Sequence, residues 1–140
     1  MQAVAGAEAA ADEDTIRKCA RISQVTVEVT LGDLAEEDSD VLLCSADAKL
    51  SLNTRIAKSL VRKAGDALRQ ECASAETRRA MAAEGLACTS GGQLRAKHVL
   101  HVLLPADAEE LHQAISKVCF FSKCCINDMR AFEFHCLFRQ

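Results

Sequence analysis

The stretch "DVLLCSADAKLSLNTRIAKSLVRKAGDAL", Asp40 to Leu68, decides the fold. It opens on a short continuous apolar run, Asp40 to Cys44, as expected of a central strand covered on both faces. After a polar loop, Ile56, Ala57, Leu60, Val61, Ala64 and Leu68 recur at helical spacing, with Ser51, Asn53 or Thr54 available as the N-cap. Lys58, Arg62 and Lys63 fall on the water-facing side, and a helix of about four turns is predicted. A strand running through a short loop into a helix is a common phosphate-binding arrangement in α/β proteins, because the first N–H groups of the helix are unpaired. Glycine usually lines such loops, since it lets backbone amides approach an anion closely. Here the positions are Leu52, Asn53, Thr54 and Arg55.

Upstream, "QVTVEVTLGDL" puts Val25, Val27 and Val29 on one face and Thr26, Glu28 and Thr30 on the other, the period of a half-buried strand that ends at Gly32. Downstream, "ETRRAMAAEG", Glu76 to Gly85, predicts a short helix closed by Gly85, because glycine accepts the left-handed conformation at a helix end. "LACTSGGQL" follows as a strand into a glycine turn, and "KHVLHVLLP", Lys97 to Pro105, as another buried strand. Asp107 is the expected N-cap of a helix over 107–119 that carries Leu111, Ala114, Ile115 and Val118. "AFEFHCLF", Ala131 to Phe138, alternates like a strand able to cover a sheet edge. Strands alternating with helices predict an α/β layered domain around one mixed sheet. Its buried positions should be Val25, Val27, Val29, Val41, Leu42, Leu43, Val99, Leu100, Val102 and Leu103, with Ile56, Leu60, Val61 and Leu68 packed on it.

A chain of 140 residues suits one core and can bury roughly two thirds of the surface its unfolded form exposes. With 49% apolar residues, 26% charged residues and a formal net charge of −3, nothing suggests a general nucleic-acid binder or a disordered acidic chain. No apolar run approaches a membrane span, and the N-terminus lacks the basic start and apolar core of a signal peptide. An intracellular location, nuclear or cytoplasmic, is therefore expected, with no membrane partner. In that setting the eight cysteines read as reduced thiols, most of them inside apolar runs. Cys119, Cys124, Cys125, His135 and Cys136 are zinc-binding residue types, but they lack the paired knuckle spacing of structural sites, and no metal is predicted.

The ordered set of motifs resembles the first half of a macro domain, the ADP-ribose-binding module found in multi-macro ADP-ribosyltransferases and macro-histones. The resemblance covers about residues 24–119 and rests on "GDL" at Gly32–Leu34, "DVLLCSAD" at Asp40–Asp47, Leu50, "KAG" at Lys63–Gly65, "GLACTSGGQL" at Gly85–Leu94 and "VLHVLLP" at Val99–Pro105. Separations agree as well, with nine positions from Asp47 to Ile56 and nine more to Gly65. It implies a three-layer α/β/α fold, incomplete at its C-terminal end: a tail at 1–23, the macro-like domain at 24–119, and a divergent tail at 120–140 with one edge strand. Residues 1–22, rich in Ala, Glu and Asp, have no clear period and suggest a tail or a marginal helix.

Ligand-binding candidates follow from the resemblance. Asp33 matches the aspartate that accepts from the adenine amino group, and Leu34 the residue whose backbone amide touches that ring. Cys44 and Asp47 replace two asparagines that face the distal ribose, so donors are lost, since a thiol donates weakly and a carboxylate only accepts. Arg55 could offer a charge-assisted bond to phosphate. Lys58 stands where hydrolysing members carry an aspartate, and a cation there is no base at neutral pH. The second phosphate loop of the family has no counterpart, because residues 120–140 contain no glycine.

Three functions follow: a non-catalytic binding or interaction module with weak or lost ADP-ribose binding and a protein partner; an ADP-ribosyl hydrolase using Asp47, Cys44, His98 or His101; or a truncated isoform with no ligand of its own. No cofactor and no specific nucleic acid are expected.

Overall fold

The structure, a computed structural model, describes residues 18–22, 25–105, 107–125 and 134–137. Two compact units divide the chain, one of Met1–Asp33 with Arg130–Gln140 and one of Leu34–Met129.

In the first unit, β1 (Lys18–Ile22) pairs antiparallel with β2 (Val25–Thr30), with Lys18 opposite Val29 and Ile22 opposite Val25. A C-terminal strand, Phe134–Leu137, joins β2 in parallel, with Val27 opposite Phe134, so the order places β2 in the middle. Residues 18–22 thus form a strand where the sequence pattern suggests tail or helix. Pairing with the β-branched alternation of β2 supplies hydrogen bonds that a weak local pattern does not reveal. The side chains of Val25, Val27 and Val29, expected in the core, lie outside the described residues.

The second unit begins with a 3-10 turn, Leu34–Glu36, and then β3 (Val41–Ala46). Thr54 caps helix α1 (Arg55–Ala64): its hydroxyl accepts from the Ala57 N–H at 3.1 Å. Ala57, Leu60, Val61 and Ala64, one stripe of the helix, are buried. The expected single helix stops at Gly65, whose φ of 80° and ψ of −169° cannot continue it, and α2 (Asp66–Ala73) starts anew. Ser74 ends α2 and caps α3 (Ala75–Glu84) by accepting from Thr77 N–H at 3.2 Å. Gly85, at φ 67° and ψ 20°, closes α3 in the left-handed conformation, as its place in the sequence predicts.

Next come β4 (Leu86–Ser90) and β5 (His98–Leu103), joined by the glycine turn. That turn docks on the end of α1, where Gln93 N–H satisfies the Ala64 carbonyl at 3.0 Å. A Cβ on Gly91 would lie 1.8 Å from the Ala96 carbonyl oxygen, so the chain closes only around glycine. Helix α4 (Ala108–Cys125) is capped by Asp107, whose carboxylate accepts from Glu110 N–H at 2.8 Å, and it runs past the expected end at 119.

The sheet order is β3-β5-β4, with β3 parallel and β4 antiparallel to β5. The described strands therefore make two three-stranded mixed sheets, and β5 rather than the expected β3 occupies the centre of the second. The burial pattern explains this: Val99 to Val102 are all buried, whereas in β3 only Leu42 and Cys44 are, and Leu43 is 40% exposed. Leu103 and Ile56, also expected inside, are each 40% exposed. A continuous apolar run marks a strand able to be covered twice, without showing that it is.

The core packs Leu42, Cys44, Leu60, Leu68, Cys72, Met81 and Val99. Each fully buried leucine contributes about 2 kcal/mol by leaving water.

Candidate functional site

The loop between β3 and α1 is organised by one carboxylate. Asp47 accepts from Lys49 N–H at 2.8 Å and Ser51 N–H at 3.1 Å, and its second oxygen accepts from the Ser51 hydroxyl. Its own carbonyl accepts from Leu50 N–H at 3.0 Å. The Ser51 side-chain and backbone donors together hold the Asp47 carboxyl below its usual range, with smaller help from Lys49 and Leu50. An exposed aspartate becomes the staple of a turn, with its acceptors committed within the loop.

Two leucines then take a conformation normally left to glycine: Leu50 has φ 52° and Leu52 φ 56°. Leu50 is buried in the core and Leu52 packs half-buried against it. Burial of the side chains offsets the left-handed backbone cost of about 1–2 kcal/mol per residue. The loop thus keeps left-handed turns without glycine, which no local sequence signal announced.

The other predicted residues scatter. Cys44 is 1% exposed, its thiol donating to the Ser45 carbonyl at 3.4 Å, and burial first and the neighbouring Cys72 second push it up to about 11. It is a protonated core thiol. Arg55 opens α1, exposed, as does Lys58 one turn on. Leu34 starts the 3-10 turn and packs against the core. Asp33 is half-buried and belongs to the first unit. Cys119 is half-buried in α4, while Cys124, Cys125, His135 and Cys136 have side chains outside the described residues. Among the described residues, no three His, Cys, Asp or Glu side chains converge as metal ligands.

Cys72 of α2, Thr89 of β4 and His101 of β5 form a buried polar cluster that sequence reasoning only partly found. His101 is 1% exposed, with Nε2 3.0 Å from the Thr89 hydroxyl and 3.6 Å from Cys72 Sγ. The Thr89 hydroxyl is also 3.4 Å from the Val99 carbonyl, so Thr89 links the imidazole to the backbone of β5. Nδ1, also buried, has no hydrogen-bond partner. Burial holds the imidazole down to about 4 against the opposing pull of the Glu71 carboxylate. Burial and then Glu71 push Cys72 up to about 11. The cluster is buried and neutral.

A cleft of about 1060 Å³ opens between the loop and helices α1 and α2. Leu50, Ser51, Leu52 and Asn53 form one wall, and Lys58, Val61 and Arg62 another. Among Leu34, Cys44, Asp47 and Arg55, none lines it.

Comparison with known proteins fits this arrangement. Human protein mono-ADP-ribosyltransferase PARP14 is 25% identical over 99 residues, covering 71% of this chain and 5% of that protein. A macrodomain from Oceanobacillus iheyensis with MES bound superposes with a TM-score of 0.61 at 17% identity, over 78% of this chain and 65% of that one. The same macrodomain with ADP gives 0.60 at 18% identity, over 81% and 63%. The chain therefore spans a small part of the human protein and just under two thirds of the bacterial domain. The fold class stands as expected, α/β with a mixed sheet and helices in the macro-like layered architecture. A family model described as Macro domain matches residues 44–135, more than half of the sequence, and the chain belongs to that family.

Proposed function

We propose that this chain is a non-catalytic macro-like binding module, carried by residues 24–119, whose affinity for ADP-ribose is weak or lost and whose natural target is a protein. The observation that supports this best is the β3–α1 loop. Asp47 commits its acceptors to Lys49, Leu50 and Ser51, and Leu52 stands at a left-handed position where glycine would open the backbone to a diphosphate. Asp33 and Leu34 remain as the adenine end of the site, by their match to the family. Hydrolysis finds little support: the Cys44 thiol and His101 imidazole are buried in neutral form, and Lys58 is an exposed cation.

Calorimetric titration tests this reading. AMP and ADP-ribose should bind with similar, weaker than micromolar affinity, since only the adenine end is recognised. Asp33→Ala should abolish both signals. Submicromolar ADP-ribose binding that survives Asp33→Ala overturns the proposal and moves the site elsewhere.

A further inference from the structure

We infer that the cleft beside the β3–α1 loop is a side-chain anion site for a compact, multiply phosphorylated small molecule. Five cations from four separate elements line it: Lys49 from the loop, Lys58 and Arg62 from α1, Arg69 from α2 and Arg78 from α3. Asp66 is the one carboxylate lining it. All five cations are exposed, and among the described residues none of them is held in an ion pair or hydrogen bond by its side chain. Other cations of this unit do have acidic partners: Lys63 pairs with Glu36, and Lys97 with Asp40 at 3.0 Å.

This concentration of positive charge occurs in a chain whose formal net charge is −3, so it does not follow from a generally basic composition. Lys58 and Arg62 are one helical turn apart and share a face, while Arg69 and Arg78 approach from two other helices. Convergence from separate elements concentrates field in a concave site more than a stripe along one helix does. Three of the five are arginines, whose planar forks hold phosphate oxygens in pairs.

Size and lining narrow the class. At about 1060 Å³ the cleft lies at the upper end of small-molecule sites, room for one compact anion with several phosphates. No aromatic side chain lines it, which removes the stacking platform that single-stranded nucleic acids use. The site goes beyond the adenine-led reading and does not rest on it. Here charge is supplied by side chains on helices.

The test is calorimetric titration of the full chain with tripolyphosphate and inositol hexakisphosphate at two salt concentrations. Both should bind, more weakly at high salt. Arg62→Glu, Arg69→Glu and Arg78→Glu should each weaken binding by about tenfold or more without shifting the melting temperature, because each reverses a charge at an exposed position. Arg95→Glu, exposed and outside the cleft, should leave binding unchanged. Asp33→Ala should spare these probes while removing AMP binding, so failure here and failure of the adenine-led reading are told apart. Vesicles carrying phosphatidylinositol bisphosphate assign the source among the positive outcomes: their capture alongside the free probes indicates a lipid headgroup, its absence a soluble ligand. No binding of either free probe at low salt overturns the inference, as does binding that survives all three arginine reversals. An oligouridylate bound more tightly than both probes also overturns it, in favour of RNA.

Discussion

His101 is the residue where local chemistry has the clearest thermodynamic consequence. Its folded value of about 4 lies below the 6.5 expected in an unfolded chain, because burial disfavours the imidazolium. Between those two values the unfolded state binds more protons, so stability is complete above pH 6.5 and falls as the pH drops toward 4. The shift corresponds to roughly 3 kcal/mol lost across that window. Urea unfolding at pH 7 and pH 4.5 should show this loss, and His101→Asn, which does not titrate, should show a much smaller one. Equal pH dependence in both proteins would place the acid sensitivity elsewhere. Of the two histidines in "KHVLHVLL", His98 at the strand's start is half-buried and His101 is fully buried. Its unpartnered Nδ1 was not legible, since it depends on the neighbours that β4 and α2 bring from elsewhere in the sequence. Cys44 shows the reverse limit: family position suggested a ligand contact, while burial made it part of the core.

At the scale of the element, the β3–α1 loop carries the sharpest prediction. In most contexts glycine destabilises relative to alanine by up to about 1 kcal/mol, because it leaves the unfolded chain freer. At Leu52, with φ 56°, the order should reverse. Leu52→Ala loses the half-buried side chain and keeps the left-handed cost, whereas Leu52→Gly loses the same side chain and is relieved of that cost. Leu52→Gly should therefore be the more stable of the two by about 1 kcal/mol in denaturant unfolding, with both below the parent. If alanine is the more stable, the loop does not hold residue 52 at positive φ. Such reversals explain which elements the sequence disclosed. The stop at Gly85 and the cap at Asp107 were legible because each acts through residues a turn away, while Thr54 was one of three candidate caps. The break at Gly65 was hidden by apolar spacing that runs on to Leu68 across it. The left-handed leucines were not legible at all, since their side-chain burial compensates for a backbone cost that local preference would forbid.

Across the whole molecule, the apolar surface left exposed sets how the chain behaves in solution. Leu104 is 53% exposed, Ile115 51% and Phe120 70%, with Leu103 at 40%. Among the described residues of α4, Val118 is buried, whereas Leu111 at 37% and Ile115 remain accessible. Periodicity correctly located the helix but overstated its burial, since an apolar stripe is buried only as far as something covers it. Single exposed apolar residues are ordinary, and Phe120 stands alone on the far side of α4, but Leu111 and Ile115, four residues apart on one face, leave an apolar strip accessible. The chain should therefore self-associate, with an apparent mass in light scattering that rises with protein concentration. Leu111→Lys and Ile115→Lys should lower that mass toward the monomer while leaving the melting temperature nearly unchanged, because the replaced side chains are largely exposed. A monomeric parent over a wide concentration range would show that these side chains find cover within the chain. Loss of folding in either variant would show that the stripe is structural. Charge makes the expectation stricter: a net charge of only −3 on 140 residues gives weak mutual repulsion, so apolar contact is opposed by little at neutral pH.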